Sequence, residues 1–300
     1  GGANTAVGYA ALNTNTTASN NTAVGYQSLQ ANTTGVSNVA VGLQSLDANT
    51  TGGANVAVGT SALGSNTTAS NNVAVGHDAL TANTTGNENT AVGYESLKSS
   101  TTAIRNSAFG NIALATNTTG SENTAVGYAS MTNNTTGTEN TAIGRSSLQN
   151  NTTGDYNVAV GRNALIQNTT ADANTAVGYY ALEVNTTGHE NTANGYNTLT
   201  DNTTGNNNTA IGYNALWKNT TGSTNTAVGT GSLTACTTGF DNTTMGAGSG
   251  ISLTTASNCL LLGHDAGRTG SPGGIITSQA SRLGLGDENI SAANIQVDWT

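Results

Sequence analysis

A glycine recurs every 17 residues through most of this 300-residue chain. The spacing holds without insertion or deletion from Gly8 to Gly263, which gives sixteen copies of one repeat. The consensus reads Asn-(Thr/Val)-Ala-(Val/Ile)-Gly-x-x-(Ala/Ser)-Leu-x-x-Asn-Thr-Thr-(Gly/Ala)-x-x, as in residues 21–37. A fixed period of this kind indicates a chain built by stacking one structural unit.

The content of the repeat predicts its fold. Short β-branched runs bounded by Gly and Asn are typical of strands and corners, whereas Asn-Thr-Thr-Gly would interrupt any helix. The sequence therefore predicts an all-β, parallel β-solenoid of sixteen rungs over residues 1–268, followed by a small non-repeating β tip over residues 269–300. The repeated glycines are expected at corners that need a positive φ or a close backbone approach.

Each position of the repeat becomes a column of equivalent residues along the solenoid. Strand side chains alternate between two faces, and we expect the Val24 column to share the interior with the Leu29 column. The small residues of the Ala23 and Ser28 columns are expected between chains, where they would permit close approach in a parallel oligomer.

Stacking also explains the unusual composition. A charge at an invariant position would meet the same charge on every rung, about 4.8 Å away, and only 8% of the residues are charged. Uncharged Asn and Thr can instead form side-chain ladders. The Asn-Thr-Thr triplets also match the glycosylation sequon, and a Thr array could bind ice; the ladder explains the triplets without either activity.

Enzymatic and metal-binding functions are not indicated. The three histidines are His77, His189 and His264, which the repeat places too far apart for a metal cluster or a His-based triad. Asp155 and Asp172 are the nearest acidic residues in one column, and we interpret them as surface groups rather than a hydrolytic pair. They would lie beside Arg145 and Arg162. We predict no catalytic residues, no metal and no cofactor.

Other classes of partner are also disfavoured. Cys236 and Cys259 replace Asn in different columns, so reduced thiols are expected rather than a disulfide. The chain has only seven Lys and Arg residues, scattered within a net charge of −9, which argues against nucleic-acid binding. No apolar run approaches the roughly 18 residues of a membrane span, so membrane insertion is not expected.

The repeat itself resembles a known group of proteins. Asn-Thr-Ala-Val-Gly-Tyr-x-Ala-Leu is similar to the Ser-Val-Ala-Ile-Gly repeats of trimeric autotransporter adhesin heads, and more similar to shaft repeats of bacteriophage tail fibres. This resemblance covers residues 1 to about 265 and implies a homotrimeric, left-handed parallel β-roll. The adhesin-head repeat is shorter than 17 residues, so a longer corner is expected here.

The C-terminal residues carry a second resemblance. Segments 282–287 and 294–300 resemble the region that precedes the self-cleaving chaperone domain of phage tail fibres and tailspikes, which implies a cleavage or truncation near Thr300. Gly1 already lies within a repeat, so we expect a further N-terminal region that joins the phage tail. The resemblance implies an extracellular fibre of the virion tail, with a bacterial cell-surface adhesin head or a tailspike polysaccharide hydrolase as alternatives.

Receptor-contact residues are expected where the repeat carries unusual side chains. The partner would be a glycan or a protein on the host cell surface. Tyrosines occupy three consecutive rungs at the position after the repeated glycine, and they could stack on sugar rings or simply pack against each other. The C-terminal tip is the other candidate, favoured because a tip meets an approaching surface first. The candidates are Tyr179, Tyr180, Tyr196, Tyr213, Trp217, Asp298 and Trp299.

Overall fold

The computed structural model describes residues 1–268, 275–278 and 280–286. It divides into two compact units, Gly1–Ala173 and Asn174–Thr300, built from three-residue strands joined by turns. Within the described residues, no helix is long and apolar enough to cross a membrane. The strands of the first unit are β1 Thr5–Val7, β2 Thr22–Val24, β3 Val39–Val41, β4 Val56–Val58, β5 Val73–Val75, β6 Thr90–Val92, β7 Ser107–Phe109, β8 Thr124–Val126, β9 Thr141–Ile143 and β10 Val158–Val160. Those of the second are β11 Thr175–Val177, β12 Thr192–Asn194, β13 Thr209–Ile211, β14 Thr226–Val228, β15 Thr243–Met245, β16 Leu260–Leu262 and β17 Leu283–Leu285.

Within each unit, successive strands pair in parallel with equivalent residues side by side. In β2 and β3, for example, Ala23 lies opposite Ala40, and the corners stack in the same way, since Leu46 N–H donates to the Ala62 carbonyl at 2.9 Å. This pairing confirms the predicted parallel β-solenoid with 17-residue rungs. The last pairing, Leu260 with Leu283, spans 23 residues, so β17 joins the stack after a longer connection.

The interior of each rung contains the alanine and leucine columns. Ala23 and Leu29 are both completely buried, whereas Thr22 and Val24 on either side of Ala23 are only half-buried. The leucine prediction is therefore confirmed, and the valine prediction is wrong. The small residues Ala23 and Ser28 fill the core of a single chain, so they cannot form the predicted surface between chains.

Residue volume explains this arrangement, because the narrow rung has space for one large side chain. In β15, Thr244 stands where β1 to β14 have Ala, and Gly250 replaces the facing leucine. A Cβ atom on Gly250 would lie 2.9 Å from Thr244 Cγ2. The departures from the repeat near the C-terminal end are therefore compensated exchanges of volume across the core.

Two buried asparagine columns hold the rungs together. Both Asn21 and Asn32 donate from Nδ2 to the Gly35 carbonyl, at 2.9 and 3.0 Å. Between rungs, Asn49 Nδ2 donates to Asn32 Oδ1 at 2.9 Å, and Asn38 N–H donates to Asn21 Oδ1 at 2.9 Å. The predicted ladders are confirmed. From Asn32 onward, the sequon asparagines of this second column are buried within them.

The second asparagine column is interrupted at Ser100 and ends after Asn219. Ser100 replaces Asn in the first unit, and the buried Ser100 Oγ and Asn83 Oδ1 both lack a hydrogen-bond partner. Cys236 replaces Asn in the second unit, where Asn219 Oδ1 is similarly unpartnered. Buried polar atoms without partners cost stability, so these rungs are weak points of the ladder.

The repeated glycines occupy corners that no other residue could adopt. Gly25 has φ +139°, and a Cβ atom there would overlap the Gly42 carbonyl of the next rung. The expectation of positive φ and close backbone approach is confirmed. This corner turns the chain out of the strand, and it places the following residue on the surface.

Candidate functional site

The column after the repeated glycine carries three of the predicted contact residues, Tyr179, Tyr196 and Tyr213. Tyr196 and Tyr213 keep about half of their surface exposed, at 47% and 53%. Tyr179 and Tyr180 are half-buried. These four side chains belong to three successive rungs of the second unit, so the scaffold fixes their spacing.

The tyrosine rings stack on one another along the column. The ring centroids of Tyr179 and Tyr196 are 5.3 Å apart with an interplanar angle of 7°, and those of Tyr196 and Tyr213 are 5.6 Å apart at 14°. Tyr180 packs edge-on against Tyr179, with the centroids 4.0 Å apart. Because each inner ring face is covered by the next ring, solvent meets ring edges and phenol groups rather than open faces.

This stacking follows from the repeat and recurs elsewhere in the column. Tyr9 and Tyr26 stack at 5.3 Å, His77 and Tyr94 at 5.6 Å, and the Arg145 guanidinium lies 5.7 Å from the Tyr128 ring centroid. Any flat side chains at this position meet at the spacing between rungs. The stack therefore stabilises the surface, and a sugar could lie flat only on a ring at the end of a stack.

Trp217 belongs to a different column, five residues after a repeated glycine. The Lys218 ammonium lies 5.7 Å from the Trp217 ring centroid, within the range of a cation–π interaction. The predicted aromatic residues thus form two groups: the four tyrosines, and the Trp217–Lys218 pair. Asp298 and Trp299 lie outside the described residues.

Two carboxyl groups near these aromatic residues were not identified from the sequence. Burial raises the pKa of Glu183, and the Asp201 carboxylate adds to that shift. Burial also raises the pKa of Asp201, against the opposing effect of Lys218. The signal available in the sequence was their position near the tyrosines, since charged residues are rare in this chain.

The remaining polar candidates have structural partners. The Asp155 carboxylate accepts a hydrogen bond of 2.6 Å from Thr138 N–H, and Asp155 N–H donates to Asp172 at 2.8 Å. Each of these carboxylates therefore accepts a hydrogen bond from the backbone of the preceding rung. Among the described residues, no three His, Cys, Asp or Glu side chains are grouped to hold a metal ion.

The two cysteines are buried and are not joined in a disulfide. Burial raises the pKa of the Cys236 thiol to about 11. A thiol of this kind is a poor nucleophile at neutral pH, because the thiolate is the reactive form.

A short polar groove lies beside Gly64, among side chains two, five and six residues after the repeated glycine of successive rungs. Near Gly64 it forms a shallow cavity of about 420 Å³ that is largely open to solvent. Two rungs after Gly64, Lys98 Nζ lies 2.8 Å from Glu95 Oε1 and 3.8 Å from Asp78 Oδ2 in the same columns. The cavity is lined by Gln44, Asp47, Ala48, Ser61, Gly64, Ser65 and Thr81.

Comparison with known proteins does not add a family to this description. No protein-family model matches the chain, and no curated protein matches it significantly.

Proposed function

We propose that this chain is a shaft segment of a bacteriophage tail fibre, which self-associates as a homotrimer and takes part in host attachment without enzymatic activity. The observation that supports self-association is the outer face of the strands. From β2 to β17 the middle residue of each strand is buried, and the two flanking residues are half-buried or exposed. We call these two flanking columns the sheet face.

The sheet face is uncharged throughout. Its residues are mainly Thr and Val, and apolar side chains remain accessible along it, including Phe109 at 41% and Ile143 at 41%. Exposed apolar side chains that are grouped on one face often mark interaction sites. Charged residues are tolerated in other exposed columns, as at Glu88 and Arg105.

A parallel symmetric assembly explains why the sheet face is uncharged although other exposed columns carry charged residues. Near the symmetry axis each column meets its own copies, so a charge in the sheet face would meet the same charge from every partner chain. Val and Thr instead bury apolar surface and tolerate close packing. The trimeric state comes from the resemblance of the repeat, and the sheet face supplies a surface suited to it.

Host attachment needs side chains that differ from rung to rung. The invariant columns present the same surface repeatedly, whereas discrimination between receptors needs a distinct set of groups. The tyrosine stack with Trp217, and the C-terminal tip, provide such sets. We propose a glycan or protein of the host surface as the partner, and the extracellular virion tail as the location.

Binding of the labelled protein to a panel of bacterial strains tests this function. We expect saturable binding to a subset of strains, competed by unlabelled protein. One variant changes Tyr179, Tyr180, Tyr196, Tyr213 and Trp217 to Ser, and another ends after Gly267. Whichever variant loses binding identifies the contact region. Absence of saturable binding to every strain would contradict an attachment role.

A further inference from the structure

The groove beside Gly64 has a feature that the fold does not require. Gly64 is not among the residues with a left-handed φ, so its backbone conformation does not need glycine. Other rungs carry longer side chains in the same column, including Gln30 and Gln149. An added Cβ atom would lie 3.3 Å from the Ser61 carbonyl oxygen and 3.4 Å from Asp47 Oδ1, which is tight but can be accommodated. The glycine therefore opens a space between two rungs.

The walls of this space offer directional hydrogen-bonding groups. Asp47 provides a half-buried carboxylate whose pKa is raised by burial, Gln44 provides an amide, and Ser61 and Ser65 provide hydroxyls. Thr81 Oγ1 donates to the Ser61 carbonyl at 3.0 Å, which fixes the far side of the cavity. Ala48 is the one apolar side chain in the lining.

We propose that this groove binds a single sugar ring of a neutral cell-surface glycan. The inference rests on the proposed attachment function and names a ligand class for it. The cavity of about 420 Å³ falls within the range of about 300–1,000 Å³ typical of small-ligand sites. A ring bearing several hydroxyl groups matches walls that combine a carboxylate, an amide and hydroxyls.

The charge of the surroundings selects against acidic sugars. Asp47 lies in the cavity, and Asp78 follows in the same groove at 3.5 Å from Thr81 Oγ1. The nearby cation, Lys98, is engaged by Glu95 at 2.8 Å. Lys98 also lies 3.8 Å from Asp78, so a carboxylated or sulfated sugar would be repelled mainly by Asp47, in a chain whose net charge is already −9.

Calorimetric titration with defined hexasaccharides tests the proposal. The probes are neutral hexamers of glucose and of mannose, in α- and β-linked forms, with a hexamer of galacturonic acid as the acidic comparison. We expect at least one neutral hexamer to bind and the acidic hexamer not to bind. Asp47→Asn should weaken binding at least tenfold.

Gly64→Gln is the decisive variant, because glutamine occupies this column elsewhere and would fill the space without breaking the fold. We expect a loss of at least tenfold in affinity with unchanged circular dichroism. Thr132→Gln, in the same column of a rung without the cavity, should bind like the natural protein.

Equal binding by Gly64→Gln and the natural protein would overturn the groove assignment, as would binding of no neutral hexamer. Either result leaves cell attachment intact as long as the protein still binds bacterial cells. If the natural protein binds no bacterial cells, the proposed function itself would be contradicted.

Discussion

Leu261 Cδ1 lies 2.9 Å from the point at which Gly267 would carry a Cβ atom. In most rungs the strand contributes Ala to this space and the corner contributes Leu, but here the two sizes are exchanged. The pair therefore shows that the middle strand column and the leucine column face each other inside one chain.

Restoring the usual arrangement, with Ala in the strand and Leu at the corner, tests this packing. Leu261→Ala should destabilise the protein by about 2–5 kcal/mol because it leaves a cavity, and Gly267→Leu by about 1–3 kcal/mol because it overpacks the rung. The double variant should recover part of the loss, with a coupling of about 1–3 kcal/mol in urea unfolding. Leu260→Ala, on the outer face, is the control and should show no coupling with Gly267→Leu.

The interrupted asparagine column predicts stabilising substitutions. Ser100→Asn would let the new amide donate to Asn83 Oδ1, as Asn66 does to Asn49 at 2.9 Å. We expect a gain of about 1–2 kcal/mol in the free energy of unfolding, since a buried acceptor regains its partner. Cys236→Asn should give a smaller gain, because its own Oδ1 would face the buried Leu253, which cannot donate a hydrogen bond.

The reverse substitution is the control for ladder repair. Asn49→Ser should recreate the defect and lower the melting temperature. If Ser100→Asn fails to stabilise while Asn49→Ser destabilises, the rung at Ser100 has another means of satisfying these atoms.

Glu183 predicts a specific pH dependence. Its folded-state pKa is raised by burial, so the protonated carboxyl favours folding at acidic pH, and this contribution is lost as pH rises through the folded-state value. Glu183→Gln should therefore melt higher than the natural protein at pH 7 and nearly equal to it at pH 3. The exposed Glu139→Gln controls for the loss of one charge, and an identical profile for both variants would contradict the effect of burial.

The thiols predict a chemical difference between folded and unfolded protein. Burial raises the pKa of Cys236 to about 11, and Cys259 is also buried. Ellman's reagent at pH 8 should therefore react negligibly with the folded chain. In guanidinium, where the chain is unfolded, the reagent should react with both cysteines. Rapid reaction of the folded protein would show that these rungs open readily.

The sequence predicted the period, the strand positions, the glycine corners and the buried leucines, because each follows from a repeated local pattern. It did not predict which face of the strand is inside. In Thr175–Val177, alternation allows either Ala176 or Val177 to face inward, and hydrophobicity alone favoured the valine. Because the narrow rung has space for only one large side chain, the small Ala176 faces inward beside the leucine column and is completely buried.

The candidate site was predictable to a similar degree. Tyr179, Tyr196 and Tyr213 could be placed in one column from their spacing, and their stacking was among the expected outcomes. The engagement of ring faces within the stack depends on side-chain orientation, which the repeat does not specify. The cavity at Gly64 depends on one missing side chain among neighbours of ordinary size, so only the structure revealed it.

Self-association through the sheet face is the central claim, and light scattering coupled to size exclusion tests it most directly. At neutral pH and micromolar concentration, the natural protein should have about three times its chain mass of 29.8 kDa. The sheet-face variant Val126→Lys combined with Ile143→Lys should lose that mass while keeping its circular dichroism, because both side chains lie outside the core. Tyr128→Lys, on the aromatic column, should remain trimeric. A natural protein with the mass of a single chain would contradict the account. A trimeric mass that the sheet-face substitutions leave unchanged would also contradict it.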